Sequence, residues 1–166
     1  GLMNYGLALA GKNDYPKALF YYEKALKTRY AHHPYLYINI ALAKDKLKKH
    51  KEAEQNYLLA INYGNYYPAC FYYYGVWLYN NNRFAEAQSF MKKALAISPA
   101  YKPASDYLLS MNKNTIDQLS QTEELAKQNP TPENYLQLSL LLYHAGRYND
   151  CIDACNKAIA IRKEYA

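Results

Sequence analysis

The sequence predicts an all-α chain, a superhelical solenoid of about five helix-turn-helix hairpins, and three observations carry that expectation. First, small residues recur in pairs seven apart, Ala18/Ala25, Ala53/Ala60, Ala87/Ala94 and Cys151/Ala158, so both members of a pair lie on nearly one face of a helix. Second, the surroundings of each pair repeat. Tyr22, Tyr57, Met91 and Cys155 stand four residues after the first member, a ring (Tyr15, His50, Phe84, Tyr148) stands three before it, and a small residue (Gly6, Ala41, Gly75, Ser139) twelve before it. Third, all these classes move together in steps of 35, 34 and 64 residues, the last being two shortened units.

Physical packing explains the pattern. Two antiparallel helices of about 13 residues approach closely only where small side chains stand at the crossing, and a larger side chain must fill the space beside it. Each hairpin leaves an apolar face that the next one covers, so hairpins stack. The expected helices are 2–11 and 15–30, 34–47 and 50–63, 67–80 and 83–97, 101–112 and 115–128, 132–145 and 148–163. They make one domain, 1–166, with repeats at about 1–33, 34–66, 67–99, 100–130 and 131–166. Prolines 34, 68, 99, 130 and 132 fall between units or at helix starts, where a missing N–H costs little. The fourth unit lacks the small-residue signature. It is read as a divergent hairpin with Asn114 or Thr115 as the N-cap of its second helix and Glu123 and Glu124 on the exposed side.

These residues resemble the tetratricopeptide repeat, whose signature runs W-x2-L-G-x2-Y, then A-x3-F and a later proline. The third unit fits it best, with Phe71, Tyr74, Gly75 and Leu78, then Ala87, Met91, Ala94 and Pro99. The first supplies Tyr5, Gly6, Leu9, Ala18, Tyr22 and Ala25; the second Tyr37, Ile40, Ala41, Tyr57 and Ala60; the last Tyr135, Leu138, Ser139, Leu142 and Ala158. The last unit departs from the pattern at Cys151 and Cys155, which are expected to be buried packing cysteines.

The resemblance implies that first helices line a concave groove. Within "CFYYYGVWLY" (70–79), Phe71, Tyr74 and Leu78 fall within about 60° of one another on the signature side, and Trp77 lies where a neighbouring helix covers it. The groove face then carries Tyr72, Tyr73, Val76, Tyr79 and Asn80. Equivalent positions are Tyr35, Ile38, Asn39 and Leu42 in the second unit and Leu136, Leu140 and Tyr143 in the last. Such a groove is aromatic and neutral, suited to an extended peptide or a partner protein. Some relatives in the family grip chaperone C-termini with Lys, Asn and Arg. Here Asn4 and Asn39 imitate part of that clamp, but Tyr72 and Tyr73 break it, so that partner is not expected.

Composition excludes other classes. The chain is 51% hydrophobic with mean hydropathy −0.49 and has no apolar run of membrane-spanning length, so no direct insertion is expected. The net charge of +6 is modest, and the run "KDKLKKHK" (44–51) is read as a solvated helix end and turn. Tyrosines near lysines can stack on bases or sugars, but no unit carries small polar specificity residues, and nucleic acid is not expected. No phosphate-cradling glycine loop, nucleophile elbow or metal-ligand spacing occurs. The expectation is a non-enzymatic domain without cofactor or metal.

The chain reads as a segment of a longer protein, since it has neither an initiator methionine nor a leader pattern. "GLMNYGLALAGKNDYPKALFYYEKAL" and "PENYLQLSLLLYHAGRYNDCIDACNKAIAI" resemble repeat regions that follow the membrane segment of bacterial O-mannosyltransferase-like glycosyltransferases. That resemblance implies an accessory domain tethered to a membrane segment, on its periplasmic face rather than in the cytoplasm.

Overall fold

The computed structural model describes residues 1–164. Among them the regular structure is wholly helical: α1 Leu2–Gly11, α2 Tyr15–Leu26, α3 Pro34–Lys46, α4 His50–Tyr63, α5 Pro68–Asn80, α6 Phe84–Ile97, α7 Lys102–Gln128, α8 Pro132–His144 and α9 Tyr148–Glu164. The chain falls into two compact units, Gly1–Ser105 and the part from Asp106 onward. No described helix is both long and apolar enough to cross a membrane.

Four hairpins, α1/α2, α3/α4, α5/α6 and α8/α9, share one turn. Asn13, Lys48, Asn82 and Gly146 each sit two residues past the first helix with φ between 62° and 74°. The next residue donates its N–H back across the turn: Asp14 to Leu9, Lys49 to Lys44, Arg83 to Leu78 and Arg147 to Leu142, at 2.9–3.0 Å. A left-handed residue satisfying the last helical carbonyls is the usual way to stop a helix, and Gly or Asn does it with least strain. Second helices begin at once. Asp14 caps α2 by accepting from the Lys17 N–H, and Pro34, Pro68 and Pro132 occupy the first turns of α3, α5 and α8.

The pairs of small residues do what spacing predicts. Ala18, Ala25, Ala53, Ala60, Ala87 and Ala94 are buried, with Tyr22, Tyr57 and Met91 filling the space beside each crossing. A Cβ on Gly6 would stand 2.5 Å from the Tyr22 ring, which is why only glycine fits there. The rings three residues ahead of each pair are less uniform than expected. His50 and Tyr148 are exposed, and His50 instead shares Asp45 with the Trp77 indole, through contacts of 2.9 and 2.8 Å. In the last hairpin Cys151 and Cys155 are half-buried rather than enclosed, and Ala154 takes the buried position between them. Cys70 is the enclosed thiol, and burial pushes it up to about 11.

Two boundaries differ from expectation. Helix α2 ends at Leu26, where the Thr28 hydroxyl donates to the Ala25 carbonyl at 2.7 Å and the chain turns through residues 27–33. The divergent unit is not a hairpin. Residues 102–128 form one helix, and neither Asn114 nor Thr115 is a cap; Thr115 lies mid-helix with its hydroxyl donating to the Met111 carbonyl at 2.9 Å. Without small residues to form a crossing, the second half gains nothing by folding back, and no proline or glycine lies within 104–128 to stop the helix. Glu124 is exposed as expected, whereas Glu123 is half-buried and accepts from Arg147 at 3.1 Å.

One polar network ties the second hairpin to the third. Glu54 on α4 accepts the Tyr74 hydroxyl at 2.7 Å and pairs with Arg83, which also forks onto Glu86. Burial works to raise the Glu54 carboxyl, but the hydrogen bonds from Arg83 and Tyr74 outweigh it, so it lies below its ordinary value. A carboxyl lowered in the folded state adds stability that is complete above the unfolded value, about 4.3, and drains away as pH falls through the folded one. Glu54→Gln should therefore cost about 1–2 kcal/mol near neutrality. The deficit relative to wild type should shrink as urea titrations move from about pH 6 to about pH 3. A deficit constant with pH would contradict the ionic role.

Candidate functional site

Helices α3 and α5 place most of the expected groove residues in the first unit, and the structure sorts them. Tyr35 and Leu42 are exposed two turns apart on α3, with Asn39 half-buried between them. Ile38, expected in the groove, is 1% exposed and belongs to the core. Helix α3 packs against α2 and α4 and also touches α1 and α5, so a position that a single-helix projection leaves open can be covered by a neighbouring helix. On α5, Tyr72, Tyr73, Val76 and Tyr79 are half-buried and Asn80 is exposed. Tyr79 lies edge-on to Phe84 at 5.1 Å, at the turn end of the hairpin. On the signature side Tyr74 and Leu78 are buried, Phe71 is half-buried against Phe90, and Trp77 is covered as predicted.

The tyrosines gather at the N-terminal ends of α3 and α5. Tyr35 meets Tyr67 edge-on at 6.1 Å and His33 at 5.9 Å, while Tyr72 meets Tyr73 at 5.3 Å and Tyr101 at 5.9 Å. Burial raises Tyr101 to about 12, with further pushes from Tyr73, Tyr35, Tyr72 and Cys70. Tyr35 is likewise raised, first by burial and then by Cys70, Tyr73 and Tyr67. The groups acting on these phenols are thus other phenols and one thiol.

Tyr67 and Tyr101 are absent from the sequence-based groove. A signal for them existed: His33, Tyr67 and Tyr101 stand 34 residues apart, each one position before a first helix. The packing pattern is centred inside helices and passes over this position.

In the second unit, α8 presents Leu136, Leu140 and Tyr143 at i, i+4 and i+7, all about half exposed, with Tyr143 edge-on to Tyr148 at 5.7 Å. Apart from the buried Ile38, the twelve expected residues thus divide into eight on α3 and α5 and three on α8. The lysine run behaves as a solvated end, with Lys46, Lys48, Lys49 and Lys51 exposed and Lys44 paired with Glu52 at 3.0 Å.

The family model for the tetratricopeptide repeat matches residues 1–32, 34–63, 74–101 and 132–165, well over half of the chain. The chain belongs to the tetratricopeptide repeat family. Two stretches of this repeat protein lie outside the match: 64–73, which leads into and opens α5, and 102–131, which covers α7, where the hairpin has become a single helix. No curated protein matches the chain. Among solved structures, the second repeat domain of human RPAP3, in complex with an HSP70 peptide, is 22% identical with a TM-score of 0.57, over 67% of this chain and 92% of that one. PilF of Pseudomonas aeruginosa is 18% identical with a TM-score of 0.61, over 96% and 74%. YrrB, a repeat protein with an unusual peptide-binding site, is 19% identical with a TM-score of 0.53, over 98% and 85%. At these identities the likeness is one of fold.

Proposed function

We propose that this repeat domain is a non-catalytic interaction scaffold that binds a peptide or partner protein along the face of α3 and α5. The groove comprises Tyr35, Asn39, Leu42, Tyr72, Tyr73, Val76, Tyr79 and Asn80, extended by Tyr67 and Tyr101, with the α8 face as a second contact surface. The observation that carries it is the gathering of tyrosines at one end of two first helices, where rigid rings and hydroxyls offer large contact area at low entropic cost. Peptide-bound RPAP3 domains and YrrB support this use of the fold.

The test is affinity capture of the native partner with the Tyr35→Ala, Tyr73→Ala, Tyr101→Ala triple variant as bait. Each truncation at a contact hot spot should weaken binding about tenfold, so the triple variant should retain none of the partner. Retention at the wild-type level, with helicity unchanged, would sink the proposal.

A second proposal concerns context: the two segments that resemble glycosyltransferase-associated repeats favour an accessory domain on the periplasmic side of a bacterial membrane protein. A multi-spanning segment in the same reading frame is the expected finding. A reading frame encoding only soluble repeats would exclude it.

A further inference from the structure

We infer that the tyrosine row takes a proline-rich segment in the polyproline II conformation, an inference that rests on the peptide-binding role proposed above. Three features of the row point to that chemistry. The first is charge. The groups that act on Tyr35 and Tyr101 are tyrosines and the buried Cys70, and His33 is the other ring that meets Tyr35, so the row carries no lysine, arginine or carboxylate to select a charged ligand, whereas a neutral segment loses nothing. The RPAP3 domains, by contrast, hold the peptides SRMEEVD and SGPTIEEVD, each of which ends in four acidic groups counting the C-terminus.

The second feature is the sense of the hydrogen bonds on offer. The hydroxyls of Tyr35, Tyr73 and Tyr101 have no hydrogen-bond partner among the described residues, so each has a proton to donate. The face is helical, and its backbone N–H and C=O groups are spent within α3 and α5, leaving no edge onto which an extended strand could pair. A ligand with many peptide N–H groups would bury them against rings that serve them poorly. Proline has no N–H, and polyproline II leaves every carbonyl pointing outward as an acceptor, which is the complement of a row of phenol donors.

The third feature is shape. Edge-to-face pairs at 5.3–6.1 Å, Tyr35/Tyr67, Tyr72/Tyr73 and Tyr72/Tyr101, set ring faces at steep angles to one another. The outward faces of such rings form a ridged aromatic surface against which pyrrolidine rings pack, as on other aromatic-lined surfaces that recognise polyproline II; the conformation is preformed, so little entropy is lost on docking.

The probe is a fluorescein-labelled peptide of about nine prolines, read by anisotropy on the whole chain. Two controls of the same length accompany it, a neutral Ala/Ser/Gln peptide and an acidic peptide with a free C-terminus. Expected is binding of the proline peptide at least about tenfold tighter than either control, and unchanged when salt is raised from about 50 to about 500 mM. Tyr73→Phe and Tyr101→Phe, which keep the rings and remove only the donors, should each weaken it about fivefold. The inference is overturned if the neutral or acidic control binds as tightly, if both Phe variants bind the proline peptide like wild type, or if that peptide does not bind. In those cases loss of the native partner by the triple alanine variant would leave the scaffold proposal standing. Retention of that partner by the variant overturns the scaffold proposal instead. Proline binding that survives the triple variant places the site elsewhere and overturns the inference.

Discussion

Replacing Tyr57 by alanine is expected to destabilise the first unit by about 3–5 kcal/mol, among the largest effects of any side-chain truncation in it. Tyr57 is 1% exposed and fills the space beside the crossing of α3 and α4. It also reaches the next hairpin, stacking on Tyr74 at 5.8 Å and lying against Trp77 at 5.8 Å. Removing the ring takes away packing both within one hairpin and between two. The flanking Ala53 and Ala60 are too small to refill the void, so the site collapses poorly and the cost lies toward the upper end. The hydroxyl is a minor part of the effect, since burial holds it neutral and it makes no hydrogen bond among the described residues. Tyr57→Phe should accordingly stay within about 1 kcal/mol of wild type. Urea unfolding followed by far-ultraviolet dichroism compares the two. A Tyr57→Ala loss no larger than that of Tyr57→Phe would mean that the hairpins are not coupled through this ring.

What the sequence made legible follows from where the period lies. Positions fixed by a crossing, such as Ala18, Ala53 and Ala87, must be small in every hairpin, so they repeat and can be recognised by self-comparison. The phase of α5 was equally readable, because the buried Tyr74 and Leu78 and the covered Trp77 follow from rotation about one axis. Ile38 shows the limit of that projection: an angle says which way a side chain leaves its helix, and the neighbouring helix decides whether it stays open. Tyr67 and Tyr101 show a different limit. The sequence starts helices at 67 and 101, whereas the structure starts them at Pro68 and Lys102, so both rings sit at helix entrances where phase is a poor guide, and only the 34-residue steps from His33 mark them.

The divergent unit provides the second large effect, because the two structures that its sequence allows respond oppositely to one substitution. In a hairpin with Asn114 as N-cap, residue 115 would be the first helical position. Proline is favoured there, having no N–H to waste and a φ already set for the helix. In α7 as observed, residue 115 is interior: its N–H belongs to the helical ladder, and a proline ring would collide with the carbonyl of Met111, which also receives the Thr115 hydroxyl. Thr115→Pro should then cost about 3 kcal/mol or more, together with lost helicity in the middle of α7. Thr115→Ala, which removes the hydroxyl and keeps the N–H, should be neutral or slightly stabilising, since alanine has the higher helix propensity. The pair separates a broken helix from a general sensitivity of the position. A proline variant as stable as wild type would require a turn at 113–115, the fold-back that a regular repeat would have there. Asn112 and Asn114 could adopt the left-handed conformation such a turn needs, so turn chemistry did not forbid the hairpin. The missing small residues did, because two helical halves that cannot approach closely bury too little surface to offset the backbone hydrogen bonds lost in opening a turn.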